Sequence, residues 1–391
     1  MNEPPPHTAP SAPARPVSRR QCLSRGLSVI SATIGILIAI TAAGVWADVD
    51  LKVAASFFRP GDGWFLGGRE PWHWLYRYGT IPGIVLSAGA LILWGLSFVK
   101  ARLAPWRSTA LLIVLTSVIG AGLLVNTVLK PYWGRPRPDQ TAAFGGLWEY
   151  RHVHQPGTPG KGESFPCGHC TMGFVFVSVV FAYRRSPRLA LAGGAVGVIL
   201  GGLLSAARIV QGAHYLLDTI WSLGVMLLTA QVLYYLVLQI PARENAAVRV
   251  APLSPRRRRW LFAGIAVAVV VMGLAFATRR PFYRTLTDTF AVATEGVVVV
   301  QLNAAPSRFT VSYDAATEGR VRIDSQGFGW VGIDFAIVTT HRHADNTLNL
   351  DYDIRVGSYF SELRHTVAVT LPARFKDAVV VRLAVQDASV R

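Results

Sequence analysis

Charge is scarce in this chain of 391 residues, and negative charge scarcest: 16% of the residues are charged, with 22 Asp and Glu against 39 Lys and Arg. Soluble domains carry about 25% charged residues, so an ordinary soluble enzyme is excluded, and a mean hydropathy of +0.36 agrees. Three cysteines, Cys22, Cys167 and Cys170, are too few for a disulfide-stapled secreted scaffold. Metal-ligand clusters are missing from the polar stretches. His341 and His343 alternate on one strand face without a clear third ligand, which reads as two surface histidines and leaves no expected metal or other cofactor.

Apolar residues fill the space that charge leaves, at 51% of the chain. Runs long enough to cross a bilayer, about 20 residues, lie at 28–46, 80–99, 108–129, 167–183, 189–206, 217–239 and 260–278. Arg15, Arg19, Arg20 and Arg25 precede the first run; Lys100, Arg102 and Arg107 follow the second; Arg184, Arg185 and Arg188 follow the fourth; Arg256 to Arg259 precede the seventh. Short cytoplasmic connections retain such charge, so these segments are expected inside and the alternate ones outside. SRRQCLSRG with the following apolar run and Val45-Trp46-Ala47 also fits a twin-arginine signal peptide; a retained first helix is the preferred reading because the run is long for a signal core.

Charge is split unevenly between the two parts. Residues 281–391 carry 11 basic and 12 acidic residues, a balance of −1, whereas residues 1–280 carry 28 and 10, a balance of +18. The pI near 10.4 therefore belongs to the membrane part and its contact with anionic head groups, and no nucleic-acid partner is expected. Residues 281–391 read differently: GVVVVQL, RFTVSYDA, WVGIDFAIVTT, LNLDYDIRV and TVAVTL are β-branched, often alternating, and separated by turn residues. They predict an all-β domain of roughly seven to nine strands, a sandwich or a short solenoid.

Three polar stretches stand beside the apolar runs: KPYWGRPRP at 130–138, FPCGH at 165–169 and RIVQGAHYLLD at 208–218. Ionisable groups at membrane depth are costly and by default mark a functional site. Pro131, Pro136 and Pro138 predict a loop after Lys130. That loop can turn Lys130 and Arg137 toward one phosphate, a point charge beside a bidentate fork; taken alone, the patch is more often an interfacial anchor. Arg135 is left to lipid or a loop carboxylate.

Pro166, Cys167, Gly168 and His169 sit where a loop becomes a helix, whose first N–H groups favour an anion. There His169 can protonate a leaving alkoxide. His214 and Asp218, four apart, share one helical face, so the carboxylate can hold the imidazole in one tautomer; His214 becomes the candidate nucleophile, with Arg208 as a third cation. Cys167-Gly-His-Cys170 also matches a redox spacing. No βαβ pattern surrounds it, yet a regulatory disulfide stays open.

Together, Lys-x6-Arg-Pro from Lys130 to Pro138, Pro-x-Gly-His from Pro166 to His169 and Arg-x5-His-x3-Asp from Arg208 to Asp218 resemble the three-part signature of the type 2 phosphatidic acid phosphatase superfamily. The resemblance covers about residues 28–240. It implies a six-helix core, a phosphohistidine on His214 oriented by Asp218, an acid in His169, phosphate binding by Lys130, Arg137 and Arg208 with Cys167 and Gly168 beside them, and no required metal. Two positions depart from it: Cys167 stands where the family usually has Ser, a better hydrogen-bond donor, and Ala207 replaces the Ser before Arg208. Pro136-Arg137-Pro138 followed shortly by Phe144-Gly145-Gly146 resembles bacterial lipid A phosphatases. The loop 139–165, with aromatics at head-group level and His152 and His154, is expected to select substrate or to be a plain surface loop.

The expected protein is thus a mainly α integral membrane helix bundle, a six-helix phosphatase core plus a seventh span, carrying a C-terminal all-β exported domain. Its expected parts are a disordered basic tail at 1–27, the core at 28–240, a basic linker at 241–259, the seventh span at 260–280 and the β domain at 281–391. Expected substrates are lipid phosphates at the exoplasmic, periplasmic face of a bacterial inner membrane: lipid A, undecaprenyl pyrophosphate, phosphatidic acid or phosphatidylglycerol phosphate. Transfer of the phosphoryl group to a second lipid is an alternative. The contrasting expectation makes Cys167 the mark of a degenerate site and the chain an envelope-binding or scaffold protein, with an envelope partner for the β domain.

Overall fold

The structure is a computed structural model that describes residues 17–243 apart from 61, 160 and 161, and residues 254–385 apart from 278–279, 293–295, 304–305, 307, 316, 330–333, 345–346 and 358–361. Residues 1–16 of the expected 1–27 tail and residues 244–253 of the expected 241–259 linker lie outside the described residues. Among the described residues, five helical stretches are long and apolar enough to cross a membrane: Arg19–Trp46, Trp72–Leu96, Ala101–Gln140, Pro187–Val210 and Leu216–Arg243. A shorter apolar helix, Gly168–Ala182, and the helix Pro255–Ala277 occupy the two other expected spans.

The first helix starts nine residues earlier than its apolar run, at Arg19. Ser18 and Gln21 explain the extension: Gln21 N–H donates to Ser18 Oγ at 3.2 Å and Ser18 N–H to Gln21 Oε1 at 3.0 Å, a capping box that satisfies two otherwise unpaired donors. A second difference falls at Pro131, where a break was expected. Helix continues over Lys130–Trp133, because the preceding turns are widened, with Lys130 N–H reaching the Val125 carbonyl, and this leaves room for the proline ring. Gly134, at φ 65, ends the helix instead.

Small residues set the helix spacing. Any Cβ on Gly173 would run into the Gly201 backbone, and on Gly193 or Gly197 into Val179 or Val177, so Gly168–Ala182 and Pro187–Val210 pack backbone to backbone. Since His169 starts the first of these and Arg208 ends the second, the contact delivers two polar motifs to one end of the bundle. At the other end a cavity of about 260 Å³ is lined by Cys22, Arg25, Tyr183, Arg184 and Tyr235.

Among the described residues eight strands follow: β1 (Arg280–Phe290), β2 (Gly296–Leu302), β3 (Arg308–Asp314), β4 (Gly319–Gly329), β5 (Asp334–Ala344), β6 (Thr347–Gly357), β7 (Glu362–Pro372) and β8 (Val379–Val385). They form two four-stranded sheets, ordered β1-β4-β7-β3 and β5-β6-β2-β8. Alternating residues such as Val298, Val300, Ile323, Leu350, Val367 and Val369 share one buried core, which decides between the two expected β architectures in favour of a sandwich. His341 does not stand as an isolated surface imidazole, since its Nε2 lies 2.7 Å from Asp288 Oδ2.

Candidate active site

Motif one is built around Arg135, which was expected to meet lipid or a loop carboxylate and which meets two carboxylates. Arg135 is wholly buried. Its guanidinium bonds the Asp218 carboxylate through Nη1, Asp50 Oδ2 through Nη2 at 2.7 Å and the Arg151 carbonyl through Nε at 2.9 Å. A fixed fork of donors serves three acceptors from distant segments, and burying it without them would be very costly. Asp50, which follows the first helix, also accepts from Leu217 N–H at 2.8 Å, so this pair ties the first span to the start of the sixth.

The described hydrogen bonds of Asp218 thus include Arg135, Ser164 Oγ at 2.6 Å and Tyr215 N–H at 2.9 Å. His214 Nδ1 lies 2.5 Å from the Ser164 carbonyl. A carbonyl only accepts, so Nδ1 carries the proton, and the neutral ring has its lone pair on Nε2. Asp218 was expected to hold His214 directly; its described bonds include one from the Ser164 hydroxyl, and the Ser164 carbonyl meets the imidazole. Ser164 lies at the end of a loop, which gave no periodic signal.

Lys130 Nζ and Arg137 Nη2 approach the same carboxylate oxygen, Glu163 Oε2, at 3.6 and 3.7 Å. Two cations from one motif meeting on one anionic oxygen form an anion-binding geometry. Arg208, 1% exposed, donates from Nη1 to Gln211 Oε1 at 2.8 Å and lies over the Tyr76 ring, 4.5 Å from its centroid. Tyr76 also stacks against His169, with centroids 5.0 Å apart. One ring from the second span therefore positions both the third cation and the candidate acid.

Motif two is altered. Cys167 and Cys170 form a disulfide and both sulfurs are buried. Cys167 was expected to present a thiol to phosphate; in this form it has no S–H to donate, and its backbone N–H goes to Ser222 Oγ at 2.8 Å. Gly168 packs so tightly that a Cβ there would strike Asn126 Oδ1. The loop 139–165 also differs from expectation: Phe144 is buried against Phe58 and Trp64, and the half-buried Tyr150 packs edge-on to Tyr215. Burial pushes the Tyr150 hydroxyl well above its ordinary value, keeping it a neutral phenol that accepts from Arg135 Nη2 at 3.5 Å.

Residues 110–241, which hold all three motifs, match the PAP2 superfamily. The match spans about a third of the chain and lies within the helical core. A lipid A 4'-phosphatase of Francisella tularensis subsp. novicida is 29% identical over 203 residues, 49% of this chain and 88% of that protein. Lipid A 4'-phosphatases of Rhizobium leguminosarum and Rhizobium etli are 38% and 39% identical over 107 and 105 residues, 27% and 26% of this chain. The matches cover 45% and 39% of those two relatives, less than half of each. No solved structure matches the chain. These likenesses support a lipid phosphatase, set in a multi-pass membrane protein.

Proposed function

We propose that the chain hydrolyses a phosphate ester on a lipid of the lipid A class, through a phosphohistidine on His214. His214 Nε2 attacks phosphorus; the bond to the lipid oxygen breaks, and that oxygen keeps the electron pair and takes a proton from His169. Water then attacks the phosphohistidine, giving its proton to His169, and phosphate leaves as the P–N bond breaks. Lys130, Arg137 and Arg208 neutralise the phosphoryl oxygens, which is the task a metal ion performs elsewhere, so the reaction is taken to need none. The observation that carries this reading is the Ser164 carbonyl on His214 Nδ1, since it fixes the tautomer with a nucleophilic Nε2.

The motif end is assigned to the exoplasmic face. Arg25 and Arg184 share the cavity at the opposite end, where retained positive charge belongs on the cytoplasmic side. Purified protein with lipid A and phosphatidic acid, each with and without chelator, tests substrate and metal together. An acid-labile phosphoenzyme lost in His214→Ala is expected; a label retained in that variant, or activity restored only by a divalent ion, refutes the corresponding part.

A further inference from the structure

The β sandwich reaches the catalytic end of the bundle through one arginine. Arg364, at the start of β7, directs Nη1 at Asp139 Oδ2 at 3.2 Å and donates to the Gln211 carbonyl at 3.2 Å. This is no loose surface pair: the side chains are 23% and 6% exposed. Asp139 lies two residues after Arg137, and its N–H donates to the Gly212 carbonyl at 3.0 Å. Gln211 carries Arg208 on its side chain and reaches the Gly67 carbonyl at 3.3 Å. Arg364 therefore holds together the loop after motif one and the turn inside motif three.

The sheet register supports a designed approach. Strands β3 and β7 run parallel with Arg308 opposite Thr366, so Arg308 and Arg364 start neighbouring strands at the same end. A Cβ on Gly63 would run into the Arg308 guanidinium, so the second arginine meets the loop before Trp64, whose ring covers Gly212. Two cations from one sheet edge bracket the 211–212 turn.

We propose that the β domain forms a roof over the active-site mouth and that Arg364 is a positioning residue for Arg208, acting through Gln211. The inference rests on the phosphatase reading. Its test is inhibition by inorganic phosphate, alongside kcat and KM, for the full-length protein and its Arg364→Ala, Arg364→Lys and Arg208→Lys variants, with melting temperature as the folding control. Arg364→Ala should weaken phosphate inhibition and raise KM about fivefold to tenfold, the scale of one charge-assisted hydrogen bond, and Arg364→Lys should restore part of both. In the Arg208→Lys background the Ala substitution should add little. Unchanged phosphate inhibition in Arg364→Ala, or losses that simply multiply in the double variant, would overturn the proposal while leaving the phosphatase reading intact. Wild type that neither turns over a lipid phosphate nor binds inorganic phosphate would overturn both.

Discussion

Replacing Arg135 by methionine probes the part of the site that holds everything else. The substitution takes the cation from between Asp50 and Asp218, both 1% exposed or less. Removing one partner of a buried ion pair costs about 3–5 kcal/mol. Asp50 keeps its bond from Leu217 N–H, and Asp218 keeps Ser164 and Tyr215, which places the cost near the lower end, about 3 kcal/mol. For a domain of this size 1 kcal/mol moves Tm by roughly 2–4 °C, so a fall of roughly 6–12 °C is expected. Turnover should fall further than stability. Asp218 holds Ser164, Ser164 holds His214, and a displacement of about 1 Å in such a chain costs about 100-fold. Arg135→Lys keeps the charge but loses the fork and should fall between, whereas Asp50→Asn with Arg135→Met should melt higher than Arg135→Met alone. Thermal melts and lipid phosphatase rates of the detergent-solubilised protein decide the matter: a methionine variant that melts with wild type and keeps half its turnover refutes the reasoning.

Two further outcomes concern the rest of the molecule. Burial lowers the His365 imidazole from 6.5 to about 4, so between those values the unfolded chain binds the proton that the folded chain refuses. Stability of the β sandwich should then decline as pH falls through that window, by about 3 kcal/mol in total, and His365→Gln should flatten the decline; a pH-independent sandwich melt in wild type would contradict it. The Cys167–Cys170 bond and the free Cys22 predict that denatured protein takes up one maleimide without reductant and three with it, which intact mass reads directly. Three labels before reduction would exclude the disulfide.

The helical spans, the change to β structure near 280 and the three motifs were legible in the sequence because each rests on a local signal: apolar runs, alternation, or residues a few positions apart. The first-helix start and the passage of helix through Pro131 were less so. Both depend on a single cap or turn, too small to register beside a twenty-residue apolar run. Cys167 and Cys170 were visible as a spaced pair, but whether their sulfurs join depends on how the helix start is packed.

What the sequence could not rank was partnership among its buried polar groups. Seven arginines lie within the stretch 135–208 that carries the motifs, and nothing local separates Arg135, which braces Asp50 and Asp218, from Arg137, which meets Glu163. Asp50 carried the one available hint, a carboxylate just past a membrane span. Tyr76, Ser164, Gln211 and Arg364 gave none, since their roles arise only when the second span, a loop, a helix end and a β strand come together. Sequence thus determined which chemistry sits at the membrane surface. Tertiary structure decided which groups hold it in place, because a buried charge accepts whatever partner the packing brings within hydrogen-bond reach, and that distance is set by the whole fold.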